Sequence, residues 1–317
     1  MLQNRNLQVL AKVKGALFRG MCFRAIYDGA MPKNNYMNPV SLAYNLYSKT
    51  DVDSGAPPLV IMHGLLGSKQ NWNSISKALL QRLTPRRKII TVDARNHGES
   101  PHSHLHTYPH LVEDVVKLFK ELNIEKAAVL GHSMGGRAMM YMALKHPNLV
   151  ERAVIVDISP VRNSVNLEGM EHIFQAIKTI RIPPELSMSQ GRAKATRDLQ
   201  RAVVDRATVD FILLNLKKLG DGSFIWKANV EALHNNFRYI SRFPEDVVKN
   251  KQYRGPVLFI GGSRSDFISE DDMPDIKAFL PNSTLKWLDT GHLVQLEKPA
   301  EFIALVTEFL SSNCEYK

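Results

Sequence analysis

Short unbroken apolar runs alternate along this chain with stretches whose apolar residues recur every three or four positions. Leu59-Val-Ile-Met62, Lys88-Ile-Ile-Thr-Val92, Ala127-Ala-Val-Leu130, Ala153-Val-Ile-Val156 and Val257-Leu-Phe-Ile260 are of the first kind. Runs of this length, bounded by turn residues, predict strands covered on both faces of a parallel sheet. Val40-Ser-Leu-Ala-Tyr-Asn-Leu-Tyr47 instead alternates apolar with polar and predicts a half-buried strand ahead of them. Between the runs, Leu111–Leu122 places Leu111, Val115, Leu118, Phe119 and Leu122 on one helical face, and Met134–His146 predicts a second helix. Strands alternating with helices imply a sheet with helices on both sides.

The alternation lapses between Pro160 and about Arg254, where only helical pattern is legible: Asn166–Ile180, Ser189–Arg206, Thr208–Leu219 and Asn229–Phe237. We read residues 160–254 as a helical cap inserted between the fifth and sixth strands of a domain spanning 39–312. Leu285–Leu288 then predicts a last strand and Phe302–Leu310 a closing helix.

Composition narrows the class without naming a chemistry. With 317 residues, 44% hydrophobic and 23% charged, the chain is an ordinary globular sequence and not a low-complexity or collagen-like one. Cys22 and Cys314 are its two cysteines, which excludes a disulfide framework and a thiolate-built metal site. No apolar run reaches the ~18–20 residues of a spanning helix. The net charge of +10 suggests nucleic acid at first sight, yet half of it sits in Arg5, Lys12, Lys14, Arg19 and Arg24, ahead of the first acid, Asp28. As a helix, residues 1–27 would be basic and amphipathic, the pattern of a mitochondrial transit peptide. A basic surface helix or a membrane-surface helix fits the same pattern. The remaining excess is too small to support a nucleic-acid partner.

Gly131-His-Ser-Met-Gly135 follows directly on the Ala127–Leu130 strand and opens a helix. This is the G-x-S-x-G spacing of a nucleophile elbow, with Ser133 at the turn. A serine nucleophile needs a base, and Asp289-Thr-Gly-His292, after the final strand, offers His292; loops at strand C-termini are where open α/β sheets assemble their sites. His102, His104, His106 and His110 read as a polar loop. For the third member, Asp157 ends the Ala153–Val156 strand and Asp266 follows the Val257–Ile260 strand, with Glu231 in the insertion a weaker candidate. Two N–H donors would bind the developing oxyanion, that of Met134 and, in His63-Gly-Leu-Leu-Gly67, that of Leu65. No phosphate-loop or dinucleotide fingerprint is present, so no nucleotide cofactor is expected, and no metal. Met170, Ile173, Phe174, Phe211 and Leu214 are candidates for an acyl pocket under the cap.

From about Pro39 to Leu310 the chain resembles the α/β-hydrolase superfamily. The combination of Val60-Ile-Met-His-Gly-Leu-Leu-Gly-Ser68, Asp93-Ala-Arg-Asn-His-Gly-Glu-Ser100, Gly131-His-Ser-Met-Gly-Gly136 and Val156-Asp-Ile-Ser-Pro160 is similar to the family of α/β-hydrolase domain-containing protein 11 and its bacterial esterase relatives. The resemblance implies a mitochondrial serine hydrolase without cofactor, cleaving carboxylic esters including the sn-1 bond of diacylglycerol. It also implies association with the 2-oxoglutarate dehydrogenase complex, either beside catalysis or in its place. In the bacterial relatives the acid matches Asp157; other descriptions put it at the position of Glu231. Asp266 stands second, as a departure from the vertebrate pattern.

Overall fold

A computed structural model describes residues 37–48, 55–164, 167, 169–244, 249 and 251–312. The basic segment 1–27 lies outside these residues, as does Asn166. Seven strands form one sheet: β1 (Tyr44–Tyr47), β2 (Leu59–Met62), β3 (Ile89–Val92), β4 (Ala127–His132), β5 (Val150–Val156), β8 (Val257–Gly262) and β9 (Ser283–Leu288). Their spatial order is β1-β3-β2-β4-β5-β8-β9, with β1 antiparallel and every other neighbour parallel.

The central apolar runs are buried because helices cover both faces of the sheet there, whereas the edge strands β1 and β9 are partly exposed. Successive side chains of a strand point to opposite sides. Leu59 and Ile61 accordingly join Ile75 and Leu79 of α1 (Asn73–Arg82) and Phe302, Val306 and Leu310 of the closing helix α11 (Pro299–Ser311). Val60 and Met62 face the other way, onto Leu111, Val115 and Phe119 of α2 (Tyr108–Glu121) and Met139 of α3 (Met134–Lys145). Each such side chain taken out of water contributes roughly 1.5–3 kcal/mol.

Between β5 and β8 the described residues carry α4 (Met170–Thr179), α5 (Met188–Leu199), α6 (Arg206–Ile212), α7 (Val230–Asn235) and α8 (Phe237–Ile240). They have an apolar cluster of their own, centred on Phe174, Ile177, Leu199, Val209, Leu213 and Leu233. The expectation of no strand here is corrected. β6 (Leu216–Lys218) and β7 (Phe224–Trp226) form an antiparallel hairpin in which Leu216 pairs with Trp226 and Lys218 with Phe224. The helix expected over Thr208–Leu219 stops at Ile212, and the one expected over Ser189–Arg206 stops at Leu199.

Buried side chains anchor this insertion to the sheet domain, Arg137 at both of its ends. Arg137, on α3 and one turn after Ser133, donates to the carbonyls of Ser159 (3.1 Å) and Arg162 (2.6 Å) where the insertion begins, and to that of Ser241 (2.6 Å) where it ends. Tyr108 Oη adds a bond to Ile240 O at 2.6 Å.

Candidate active site

β4 runs into α3 through a bend that only small flanking residues permit. A Cβ on Gly131 would lie 2.2 Å from Gly135 O, and one on Gly135 would lie 2.4 Å from Met62 O. Between them Ser133 adopts φ 52°, ψ −117°, a conformation rare for a residue with a side chain. Its N–H is held by Val156 O at 3.0 Å, and its own carbonyl accepts from Arg137 N. The bend therefore lifts the hydroxyl off the end of the sheet at the start of a helix, where backbone N–H groups gather. Gly135→Ala should destabilise the fold by about 3 kcal/mol or more, since the methyl meets backbone that cannot yield; a thermal melt within a degree or two of wild type would refute that.

His292 sits in the loop after β9, partly exposed, with its ring stacked on Phe267 at 3.8 Å between centroids. Its Nδ1 is 2.7 Å from Asp157 Oδ2. Asp157 is buried at the end of β5, at φ 48°, and its carboxylate also accepts from Gly262 N (2.8 Å) and Ser265 Oγ (2.5 Å). Those bonds fix the carboxylate and leave His292 oriented by it. Among the described residues no hydrogen bond joins Ser133 Oγ to His292; such contacts often tighten only when substrate is bound.

The two other candidate acids are placed elsewhere. Asp266 accepts from Ser164 Oγ at 2.6 Å. Glu231 lies on α7, its side chain 69% exposed, and pairs with Lys178 at 2.9 Å, which holds its carboxyl below the usual range. An exposed carboxylate on the insertion has nothing to offer His292.

Leu65 and Met134 both face the space over Ser133, together with Tyr108, Ile158, Leu167, Phe237, Ile240 and Phe267. Met134 N–H belongs to the first turn of α3, whose donors have no helical partners. No hydrogen bond among the described residues uses the N–H of Leu65. The cavity is about 30 Å³, room for roughly one water molecule. None of the five residues expected to line it does so. Met170, Ile173, Phe174 and Phe211 are spent on the insertion's own cluster, and Leu214 faces solvent.

Sequence reading also missed a set of buried histidines. His106 and His110 are not in a polar loop but buried, His110 on α2 and His106 with Nε2 3.3 Å from Met134 Sδ. His63 accepts from Ala94 N through Nε2 (3.0 Å), so its Nδ1 carries the proton shared with Gly64 O (2.7 Å). His132 donates from Nε2 to His292 O at 2.8 Å, tying the bend at Ser133 to the loop of His292. Burial, aided by the neighbouring rings of His63 and His292 respectively, pushes His97 and His132 down to about 3. In the unfolded chain both rings take up protons as pH falls through 6.5, whereas folded they refuse them until about 3. The unfolded state then binds more protons, and stability should fall across that window by up to about 1.4 kcal/mol per pH unit and ring. Melting temperatures at pH 7.5 and 5.0 test this: the acid value should be several degrees lower, and an equal or higher one would contradict it. Among the described residues no group of three or more His, Cys, Asp or Glu is arranged to hold a metal ion.

Residues 57–299 match the model of the α/β-hydrolase fold family. The chain belongs to that family. The α/β hydrolase is 41% identical over 274 residues to the sn-1-specific diacylglycerol lipase ABHD11 of Danio rerio, covering 86% of this chain and 83% of the relative. To the mouse protein of the same name it is 37% identical over 280 residues, 88% of each chain. Among solved structures, a marine microorganism esterase superposes with a TM-score of 0.76 at 29% identity, covering 85% of this chain and 99% of the esterase. With these relatives the α/β hydrolase is a carboxylic ester hydrolase of esterase or lipase type.

Proposed function

We propose that this α/β hydrolase cleaves acylglycerol esters, the sn-1 ester of diacylglycerol among them, through Ser133, His292 and Asp157 and an acyl-enzyme. The observation that carries the reading is the 2.7 Å contact of His292 Nδ1 with the buried Asp157 carboxylate beside a serine on a strained bend. With its Nδ1–H donated in a hydrogen bond to Asp157, His292 presents a bare Nε2. Ser133 Oγ attacks the ester carbonyl carbon and its proton passes to that nitrogen. The carbonyl oxygen becomes an oxyanion, met by the N–H groups of Met134 and Leu65. Collapse of the tetrahedral intermediate expels the glyceride alcohol, which takes the proton from His292. Water then repeats the sequence on the acyl-enzyme and releases the fatty acid.

The diacylglycerol assignment draws on the names of the zebrafish and mouse relatives. An acyl chain does not fit the space now over Ser133, so Leu167, Phe237 and Ile240 must give way to admit one. A fluorophosphonate probe tests the nucleophile: it should label the wild-type protein on the peptide containing Ser133, and absent labelling would reject the enzyme reading. Rates on esters of graded chain length, with diacylglycerol in the series, test the lipase reading; equal rates across the series would reject it. Residues 1–27, basic and free of acid, support mitochondrial import. A fluorescent reporter carrying them should colocalise with mitochondria, and a cytosolic reporter would refute the import.

A further inference from the structure

The turn that carries the Leu65 N–H contains a strained residue gripped at both of its backbone groups. Gly67 N–H closes the turn on Gly64 O at 2.9 Å. Inside it Leu66 has φ 59° and is buried, the left-handed region that a branched side chain occupies only when its surroundings enforce it. Leu66 N–H donates to His97 Nε2 at 3.1 Å. Leu66 O accepts from Asn215 Nδ2 at 2.5 Å, and Asn215 lies at the entrance to β6, 149 residues further along, in the insertion. His97 thus fixes the Leu65–Leu66 peptide plane, Asn215 fixes the Leu66–Gly67 plane, and the closing bond fixes the ends. Little freedom remains for the Gly64–Leu65 peptide, which lies in the turn beside Ser133.

Both grips are built. His97 donates from Nδ1 to Arg95 O at 3.0 Å, so its Nε2 is a lone-pair acceptor. The loop bearing His97 is itself tied to the insertion, with Asn229 N bonded to Asn96 O (2.8 Å) and Asn229 Nδ2 to Asn96 Oδ1 (3.1 Å). Asn215 is buried, and its Nδ2 is shared with Ile212 O at 3.2 Å, while its Oδ1 has no partner among the described residues. A buried amide with one unsatisfied end is a poor choice for packing alone. Its surroundings, Ile212, Leu213 and Leu216, would accept an apolar side chain. The cost is consistent with a duty other than stability.

We propose that Asn215 is a positioning residue of the hydrolytic reaction: together with His97 it holds Leu66 left-handed, so that docking of the inserted cap assembles the oxyanion site at Leu65. This rests on the reading of Ser133 as nucleophile and Leu65 as oxyanion donor. Loss of one oxyanion donor costs about 10²–10³ in kcat, and a misaimed donor costs less. Asn215→Ala should lower kcat on p-nitrophenyl butyrate about 10- to 100-fold with KM changed by less than about threefold. Affinity for an alkylboronic acid, which becomes tetrahedral on the serine, should weaken by the same factor, while the melting temperature moves by only a few degrees. A merely structural residue would shift the melting temperature and leave boronate affinity in the folded fraction intact. If the alanine variant does not fold, Asn215→Leu, close in size but without donor or charge, should show the same split. A folded variant with unchanged kcat and boronate affinity would overturn the proposal alone. A wild-type protein that neither binds boronate nor reacts with fluorophosphonate would overturn the reading beneath it and the proposal with it.

Discussion

Ser133→Ala should reduce ester hydrolysis by a factor of about 10⁴ or more, measured as kcat on a chromogenic ester under saturating substrate. The residue contributes little to the fold, since its backbone carries the contacts at the elbow and its side chain bonds to nothing else described. The methyl of alanine occupies the same cramped bend, so the variant should melt within a few degrees of wild type. What disappears is the only route to an acyl-enzyme, while the N–H groups of Leu65 and Met134 would still polarise a bound carbonyl. Residual rate above water is expected from them, as where a serine nucleophile is removed but its oxyanion site remains. Hydrolysis within tenfold of wild type would mean that another nucleophile operates.

Asp157→Asn should come close behind, with kcat reduced by about 10⁴. The amide is isosteric, its oxygen can still accept from Gly262 N while its Nδ2 donates to Ser265 Oγ, and the fold should survive. It can also donate toward His292 Nδ1, which favours the tautomer with its proton on Nε2, and that ring has no lone pair facing Ser133. Asp266→Asn is the companion measurement. Its carboxylate is engaged by Ser164, and kcat should stay within about threefold of wild type. The reverse outcome, an active Asp157→Asn and an inactive Asp266→Asn, would transfer the role to Asp266.

How far the sequence reaches can be seen at particular residues. The central strands were legible because a parallel sheet covered on both faces needs uninterrupted apolar runs, and β2, β4, β5 and β8 are of that kind. The bend at Ser133 was legible because a strand-to-helix turn this tight demands small residues at fixed spacing. Asp157 and Asp266 could not be separated, because both follow a buried strand; what distinguishes them is that Asp157 turns its side chain back over β8 through a left-handed backbone, which no spacing encodes. The β6–β7 hairpin was hidden by accident of period. Val209, Ile212, Leu213 and Leu216 are three or four apart and continue a helical stripe through the point where the chain leaves the helix. The acyl-pocket residues failed because an inserted layer must first cover its own helices, and its most apolar side chains go there. His97 lay in a recognised motif and Asn215 in none, and neither position revealed the contact with Leu66, made across 31 and 149 residues.

The grip of Arg137 on both ends of the insertion is directed almost wholly at main-chain oxygens. The Arg137 contacts are therefore blind to the side chains of Ser159, Arg162 and Ser241, although the buried Ser159 hydroxyl also accepts from the N–H groups of Val161 and Arg162. A lid of unrelated sequence grafted between those two points would need no side-chain match to Arg137 at the junction, but it would have to bring its own group to the Leu66 carbonyl that Asn215 now holds.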